Sequence, residues 1–285
     1  MSVVVPNPHA LGSPRDQAAG LRSLFRRRAL RLLPVLPAGE TAVQGACAAL
    51  LARELAAAGH QVILLDETGA AAGILGLKPK YDLLTLIEGE QEFVGVAQRP
   101  LAGLRYVAAA AGLPALIAAD AAGEAFFTGF LNLTEPADTV VLNLAGTVTP
   151  AGAVWLPIFA GPATTLLVAG TGDSDLTAAY AAIKQAQAGA GGGALFRVLV
   201  NGARNEREGR AVHAKIADAA RRFLGIEVAF AGHVPPTGDG MVLGRALPSQ
   251  RHPEAGPALK RLALATAGWP LAECAIDESD SPHQN

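Results

Sequence analysis

Short apolar runs rich in Val, Leu and Ile alternate along this chain with longer Ala-rich stretches of helical period. That alternation is the pattern of a parallel sheet wrapped by helices, because strands buried on both faces read as continuous apolar runs while covering helices bury one stripe. The runs predict strands over Arg31 to Leu36, Gln61 to Asp66, Leu104 to Ala108, Thr139 to Leu144, Thr165 to Ala169, Phe196 to Asn201 and Glu227 to Val234. Helices are expected near Ala42 to Ala58, Pro114 to Leu131, Asp175 to Gln187, Glu206 to Phe223 and Pro257 to Ala267. Gly59 suits a left-handed cap feeding the second strand. The expected fold class is α/β: a single-domain, mostly parallel sheet of about seven strands with helices on both faces.

At 285 residues the length allows two domains, but the apolar runs recur without a long linker, so one core is the simpler reading. Lys+Arg 23 against Asp+Glu 25 gives a net charge of −2, too balanced for a general nucleic-acid partner. Pro, Gly or charge interrupts every greasy run before the roughly 20 residues that a membrane span needs. Met1 to Pro14 lacks the pattern of a secretory signal and reads as a flexible arm. Two cysteines, Cys47 and Cys274, form no framework or ligand spacing and suit a reducing cytoplasm. The six histidines show no metal-binding pairing. The glycine-rich Ala188 to Gly193 reads as a loop, and Gly170 to Ser174 as a helix start capped by Asp173 or Ser174.

In an open parallel sheet the ligand site lies at the carboxyl ends of the strands. Pro37-Ala38-Gly39-Glu40-Thr41 ends the first strand before a helix, where a phosphate-binding loop would lie, yet Glu40 stands where that chemistry needs a lysine. A carboxylate there replaces attraction by a repulsion of roughly 4 kcal/mol for unit charges about 4 Å apart at an effective dielectric near 20. Pro37 also removes a backbone donor. Asp66 and Asn143 close the second and fourth strands and Asn201 the sixth, either as remnants of a nucleotide pocket or as capped strand ends.

Several segments carry a family likeness: His60 to Asp66, Leu75 to Leu83 with Glu88-Gly89-Glu90, Gly103 to Val107, Leu176 to Lys184, and Phe196 to Asn201. Over roughly residues 16 to 267 the chain resembles the MinD/ParA class of deviant phosphate-loop ATPases, and within it the FlhG (FleN) family of flagellar-number regulators. Asp16-Gln17-Ala18-Ala19-Gly20-Leu21-Arg22 resembles the DQAxxLR element with which that family activates the signal-recognition-type GTPase FlhF. The residues make physical sense as a helix from about Asp16 to Arg27. Ala18, Leu21 and Phe25, with Leu24, form one apolar stripe, Asp16 suits the helix start, and Arg22 and Arg26 share a face.

The resemblance implies a nucleotide site at Gly39, Glu40, Thr41, Asp66, Asn143 and Asn201, and a partner-binding set of Asp16, Gln17, Leu21, Arg22 and Phe25. It also shows where this chain departs. Glu40 replaces the loop lysine, Val35 a second lysine that bridges dimers, Thr68 a second aspartate, and Asn143 the aspartate that holds Mg²⁺ through water; Thr41 remains. Phosphoryl transfer depends on positioning and charge stabilisation, so ATP and magnesium are not expected as working cofactors. The expected organisation is an arm over 1–14, a partner-activating helix over 15–28, the α/β domain over 29–268 and an acidic tail over 269–285, whose charge disfavours membrane contact. The implied function is a cytoplasmic, FlhG-like pseudo-ATPase that engages FlhF, with a flagellar transcriptional activator or motor-switch protein as further partner. Two alternatives stay open: an active ATPase whose missing lysines come from Arg31 or a partner, and a related pathway such as plasmid partition or polysaccharide export.

Overall fold

The computed structural model describes residues 28–119, 130, 137–146, 164–189, 195–236 and 255–276. The arm, the expected partner-activating helix except for Arg28, which opens the first strand, and the end of the chain beyond Ile276 lie outside these residues, as does most of the expected helix after Ala118. Nine strands form one sheet: β1 (Arg28–Ala38), β2 (Val62–Asp66), β3 (Gln98–Leu101), β4 (Leu104–Ala108), β5 (Thr139–Asn143), β6 (Thr164–Ala169), β7 (Leu195–Asn201), β8 (Val228–Val234) and β9 (Ala272–Ile276). Their order is β3-β4-β2-β5-β1-β6-β7-β8, with β9 beside β1. All pairs are parallel except β3 with β4 and β9 with β1.

Eight helices complete the described elements: α1 (Thr41–Ala57), α2 (Ala70–Ile74), α3 (Leu83–Ile87), α4 (Phe93–Val96), α5 (Gly112–Ala118), α6 (Asp173–Gly189), α7 (Glu206–Leu224) and α8 (Ala255–Thr266). Leu33 and Val35 of β1 face a core layer shared with α1 and α8, whereas Leu30, Leu32 and Leu36 face the layer that holds Ala179 and Ile183 of α6 and Val212 and Ile216 of α7. The strand is thus buried on both sides, which is why its sequence shows no alternation. Gly45 lets α1 approach α2, since a Cβ there would lie 2.5 Å from the Ala70 Cβ. Asp82 ties two helix starts together, accepting from Leu84 N at 2.9 Å and Gly112 N at 2.8 Å.

A proline in a central strand needs an account, because it cannot donate to the ladder. Arg31 N donates to Asp138 O at 2.9 Å, so odd-numbered positions of β1 turn their peptide groups toward β5. Pro34 therefore faces the other side. There the β9 pairing stops at Leu32 and the β6 pairing begins at Val35, so the missing N–H falls in the gap between two partner strands.

Three expectations change. The first strand is longer than Arg31 to Leu36, and among the described residues the sheet has nine strands rather than about seven. The segment 269–285 does not begin as a tail: Trp269 and Leu271 are buried, and β9 follows them into the sheet. Pro270 stops α8 from continuing, and its carbonyl accepts from Thr164 N at 3.0 Å and Thr164 Oγ1 at 2.7 Å, which fixes the turn to the start of β6. Arg31 supplies nothing to the loop at the far end of β1. Its guanidinium donates at 2.6 Å to Thr266 O, completing the carboxyl end of α8.

The Arg197 guanidinium sits 4.7 Å from the centroid of the Trp269 ring, so Trp269 packs between core and cation. Trp269→Ala is expected to cost about 3–5 kcal/mol in urea unfolding. Leu264→Ala, at an exposed position of α8, should stay within about 0.5 kcal/mol of the parent.

Candidate functional site

The carboxyl ends of β2, β5 and β1 lie side by side, with Asp66 in register with Asn143 and Asn143 with Val35. Asp66 is fully buried, and five donors converge on its carboxylate. Oδ1 accepts from Thr68 Oγ1 at 2.8 Å, Gly69 N at 3.1 Å and Asn143 Nδ2 at 2.7 Å. Oδ2 accepts from Ala71 N at 2.9 Å and the Tyr106 hydroxyl at 3.0 Å. Charge-assisted hydrogen bonds of this kind are the condition on which a carboxylate stays inside a protein.

The segment after β2 is tied down by the same groups. Thr68 Oγ1 accepts from Asn143 Nδ2 at 2.8 Å and Ala70 N at 3.1 Å. Glu67 N donates to Asn143 O at 3.0 Å, and Glu67 Oε2 accepts from Ala145 N at 2.7 Å. On the other side of β5, the buried Gln44 of α1 donates from Nε2 to Val35 O at 2.8 Å and Leu144 O at 2.7 Å. Residues 66–71, the end of β5 and the start of α1 form one hydrogen-bonded block.

The expected loop is nearly absent. β1 runs to Ala38, with Val35 to Ala38 in register with Leu166 to Ala169 of β6, so Pro37 and Ala38 belong to the strand. Only Gly39 and Glu40 separate it from α1. Gly39 has φ 154°, and a Cβ on it would lie 2.6 Å from Asp175 Oδ1 of α6. A second acid therefore stands beside the glycine, while Glu40 occupies the N-cap position of α1 without a side-chain capping bond. Val35 is fully buried in mid-strand, so a lysine there would be sunk in the core.

A magnesium–triphosphate group needs a wrapped loop whose N–H groups converge on the phosphates, and carboxylate or water oxygens for the cation. Here the corresponding backbone is in a sheet ladder, Asp175 lies against the connection, and both Asp66 oxygens are engaged by protein donors. These residues do not fit that group.

Of the residues singled out from sequence, Asp66 and Asn143 are in direct contact, and Gly39, Glu40 and Thr41 follow the carboxyl end of β1, the strand next to β5. Asn201 closes β7, four strand positions from Asp66, roughly 19 Å along the sheet edge. The set Asp16, Gln17, Leu21, Arg22 and Phe25 lies outside the described residues. Sequence reasoning missed Tyr106, Gln44, Glu67 and Asp175. Thr68 carried a signal, a hydroxyl two residues after a strand-ending aspartate; Tyr106 carried none, because its contact with Asp66 is made across two strands.

Burial, followed by the neighbouring Asp66 charge, pushes the Tyr106 phenol well above its ordinary range. The folded chain keeps this proton where the unfolded chain loses it, so the contribution is present below about pH 10 and lost as pH rises, by up to about 1.4 kcal/mol per pH unit. Tyr106→Phe should flatten that alkaline fall in stability and cost about 1–2 kcal/mol near neutrality. Asn143→Asp, which would place a second carboxylate on Asp66, should destabilise by about 3–5 kcal/mol in the same unfolding assay.

No family model matches the chain. Over 232 residues it is 30% identical to the antiactivator FleN of Pseudomonas aeruginosa, an overlap of 78% of this chain and 80% of FleN. Among solved structures, the MinD cell division protein of Aquifex aeolicus superposes with a TM-score of 0.59 at 18% identity, covering 85% of this chain and 98% of MinD. A ParA family ATPase from Chlorobium tepidum gives 0.56 at 14% identity, covering 83% and 98%. At such identities the two structures speak to the fold alone, whereas the FleN match extends along most of both sequences. The chain belongs to the FlhG/FleN branch of the MinD/ParA family.

Proposed function

We propose that this protein regulates flagellar number or placement as an interaction protein whose nucleotide site no longer works. The similarity to a protein named antiactivator carries the flagellar half of the reading. An antiactivator acts on an activator, so a transcriptional activator of flagellar genes is the first partner, with a motor-switch protein as another. The cytoplasm, where such partners reside, is the proposed compartment; among the described residues no helix is long and apolar enough to cross a membrane.

The block around Asp66 supports the other half. In a nucleotide switch, a cation and a terminal phosphate hold the segment after the second strand, and hydrolysis releases it. Here Thr68, Asn143, Tyr106 and backbone N–H groups make that hold from within the chain. Control then passes from an ATP clock to the availability of partners. The leading segment with Asp16, Gln17, Leu21, Arg22 and Phe25 is the proposed docking element for an FlhF-type GTPase, presenting its apolar stripe to a groove.

Calorimetric titration with ATP and Mg²⁺ should give no micromolar binding and no phosphate release; either would restore the reading as an active ATPase. A peptide spanning Asp16 to Arg28 should accelerate GTP hydrolysis by FlhF, and Gln17→Ala should abolish the effect. No acceleration would remove FlhF from the partners. Deleting the gene should change the number of flagella counted per cell, and an unchanged count would overturn the flagellar role.

A further inference from the structure

The two edges of the sheet are finished differently. β3 carries Arg99 and Pro100, a charge and a residue without an N–H, which are common means of keeping another strand away. β8 reads Val-Ala-Phe-Ala-Gly-His-Val, with no acid, lysine, arginine or proline. An edge of that kind is a template for a further strand. Among the described residues β8 ends the sheet, and a groove of about 280 Å³ runs beside it. Helices form the walls: α7 lies on the sheet face that holds Val212 and Ile216, and α8 on the opposite face, where Leu259 and Leu262 are buried. Phe230 to His233 form the floor, with Arg210 of α7 on one side and Arg261 of α8 on the other.

The ladder shows which backbone groups turn into the groove. Gly202 N donates to Val234 O at 2.8 Å, so Val234 turns its peptide groups to β7 and His233 turns away. Val228 O accepts from His213 Nε2 at 2.9 Å, outside the β7 ladder, and the two-residue period turns Phe230 outward as well. Between them Ala231 is an extra residue, because Phe230 is in register with Val198 and Gly232 with Leu199. The bulge limits the open row to Phe230 and His233. Their N–H and C=O groups face the groove.

Charge selects the occupant. Arg210 is held by Glu206, Nη2 to Oε1 at 2.7 Å, and its guanidinium carbon lies 4.8 Å from the centroid of the Phe230 ring. Arg261 has no hydrogen bond or ion pair among the described residues. The wall formed by α8 therefore offers an exposed cation to whatever lies along β8.

We propose that the β8 edge takes up an extended segment of a partner protein as an added strand, with an acidic side chain of that segment set against Arg261. Main-chain hydrogen bonds to Phe230 and His233 supply the affinity, and the ion pair with Arg261 selects acidic over basic segments. This site is separate from the leading segment and does not rest on the flagellar reading.

The probe is the soluble peptide acetyl-Thr-Val-Glu-Val-Thr-Val-amide, labelled with fluorescein and titrated with the full chain by anisotropy. A dissociation constant below about 1 mM is expected for so short a strand. Replacing its glutamate by lysine should weaken binding about two- to tenfold, and Arg261→Glu should reverse that preference. Methylating alternate peptide nitrogens along one edge should abolish binding, and methylating those of the other edge should leave it, since only one edge faces β8. The bound peptide should also slow amide hydrogen exchange at Phe230 and His233. No binding of the parent peptide, or equal effects of the two methylations, would overturn strand addition. A preference unchanged by Arg261→Glu would overturn the selection of acidic segments, and a dimer of the full chain that the peptide dissociates would give the edge to a second copy and overturn the partner.

Discussion

A buried carboxylate organises this molecule. Asp66 lies at the end of β2 with no exposed surface, and an ionised acid in that position requires several well-aimed donors. It finds them on three different parts of the chain: the turn that follows it, Asn143 on β5 and Tyr106 on β4. Each donor also has a place in the fold to keep. Moving β5, β4 or the start of α2 leaves part of the charge unmatched, so the charge specifies how these elements stand relative to one another.

At the carboxyl ends of the strands the chain's own side chains hold the elements together. In this chain Asn143 supplies a neutral donor where an acid would bind a cation, Thr68 serves as donor and acceptor together, and Gln44 bridges β1 to the end of β5. The backbone after Leu36 keeps its place in the sheet beside β6, leaving a two-residue connection to α1. An arrangement held by permanent bonds has one favoured state. β9 returns the last described segment of the chain to the side of β1.

Much of this was readable from the residues. The seven apolar runs became strands whose bounds differ from expectation by three residues at most, because buried parallel strands declare themselves as unbroken Val and Leu runs. Gly59, at φ 98°, ends the turn after α1 as expected. β3 escaped because Gln98-Arg99-Pro100-Leu101 is short, polar and at the edge of the sheet. β9 escaped because Ala272 to Ile276 has a single β-branched residue and carries Glu273; its strand state depends on the open side of β1. The short helices α2, α3 and α4 fall below the length at which period can be read.

The sequence by itself determined the fold class and the family likeness, since these depend on residue identity at fixed spacing. Only the tertiary structure decided how the carboxyl end of the sheet is held together. Which side of β1 Pro34 turns to, which donors reach Asp66 and where Asp175 stands all depend on register between strands far apart in the chain. Local propensity carries no information about that distance, whereas a one-residue change of register would alter every one of those contacts.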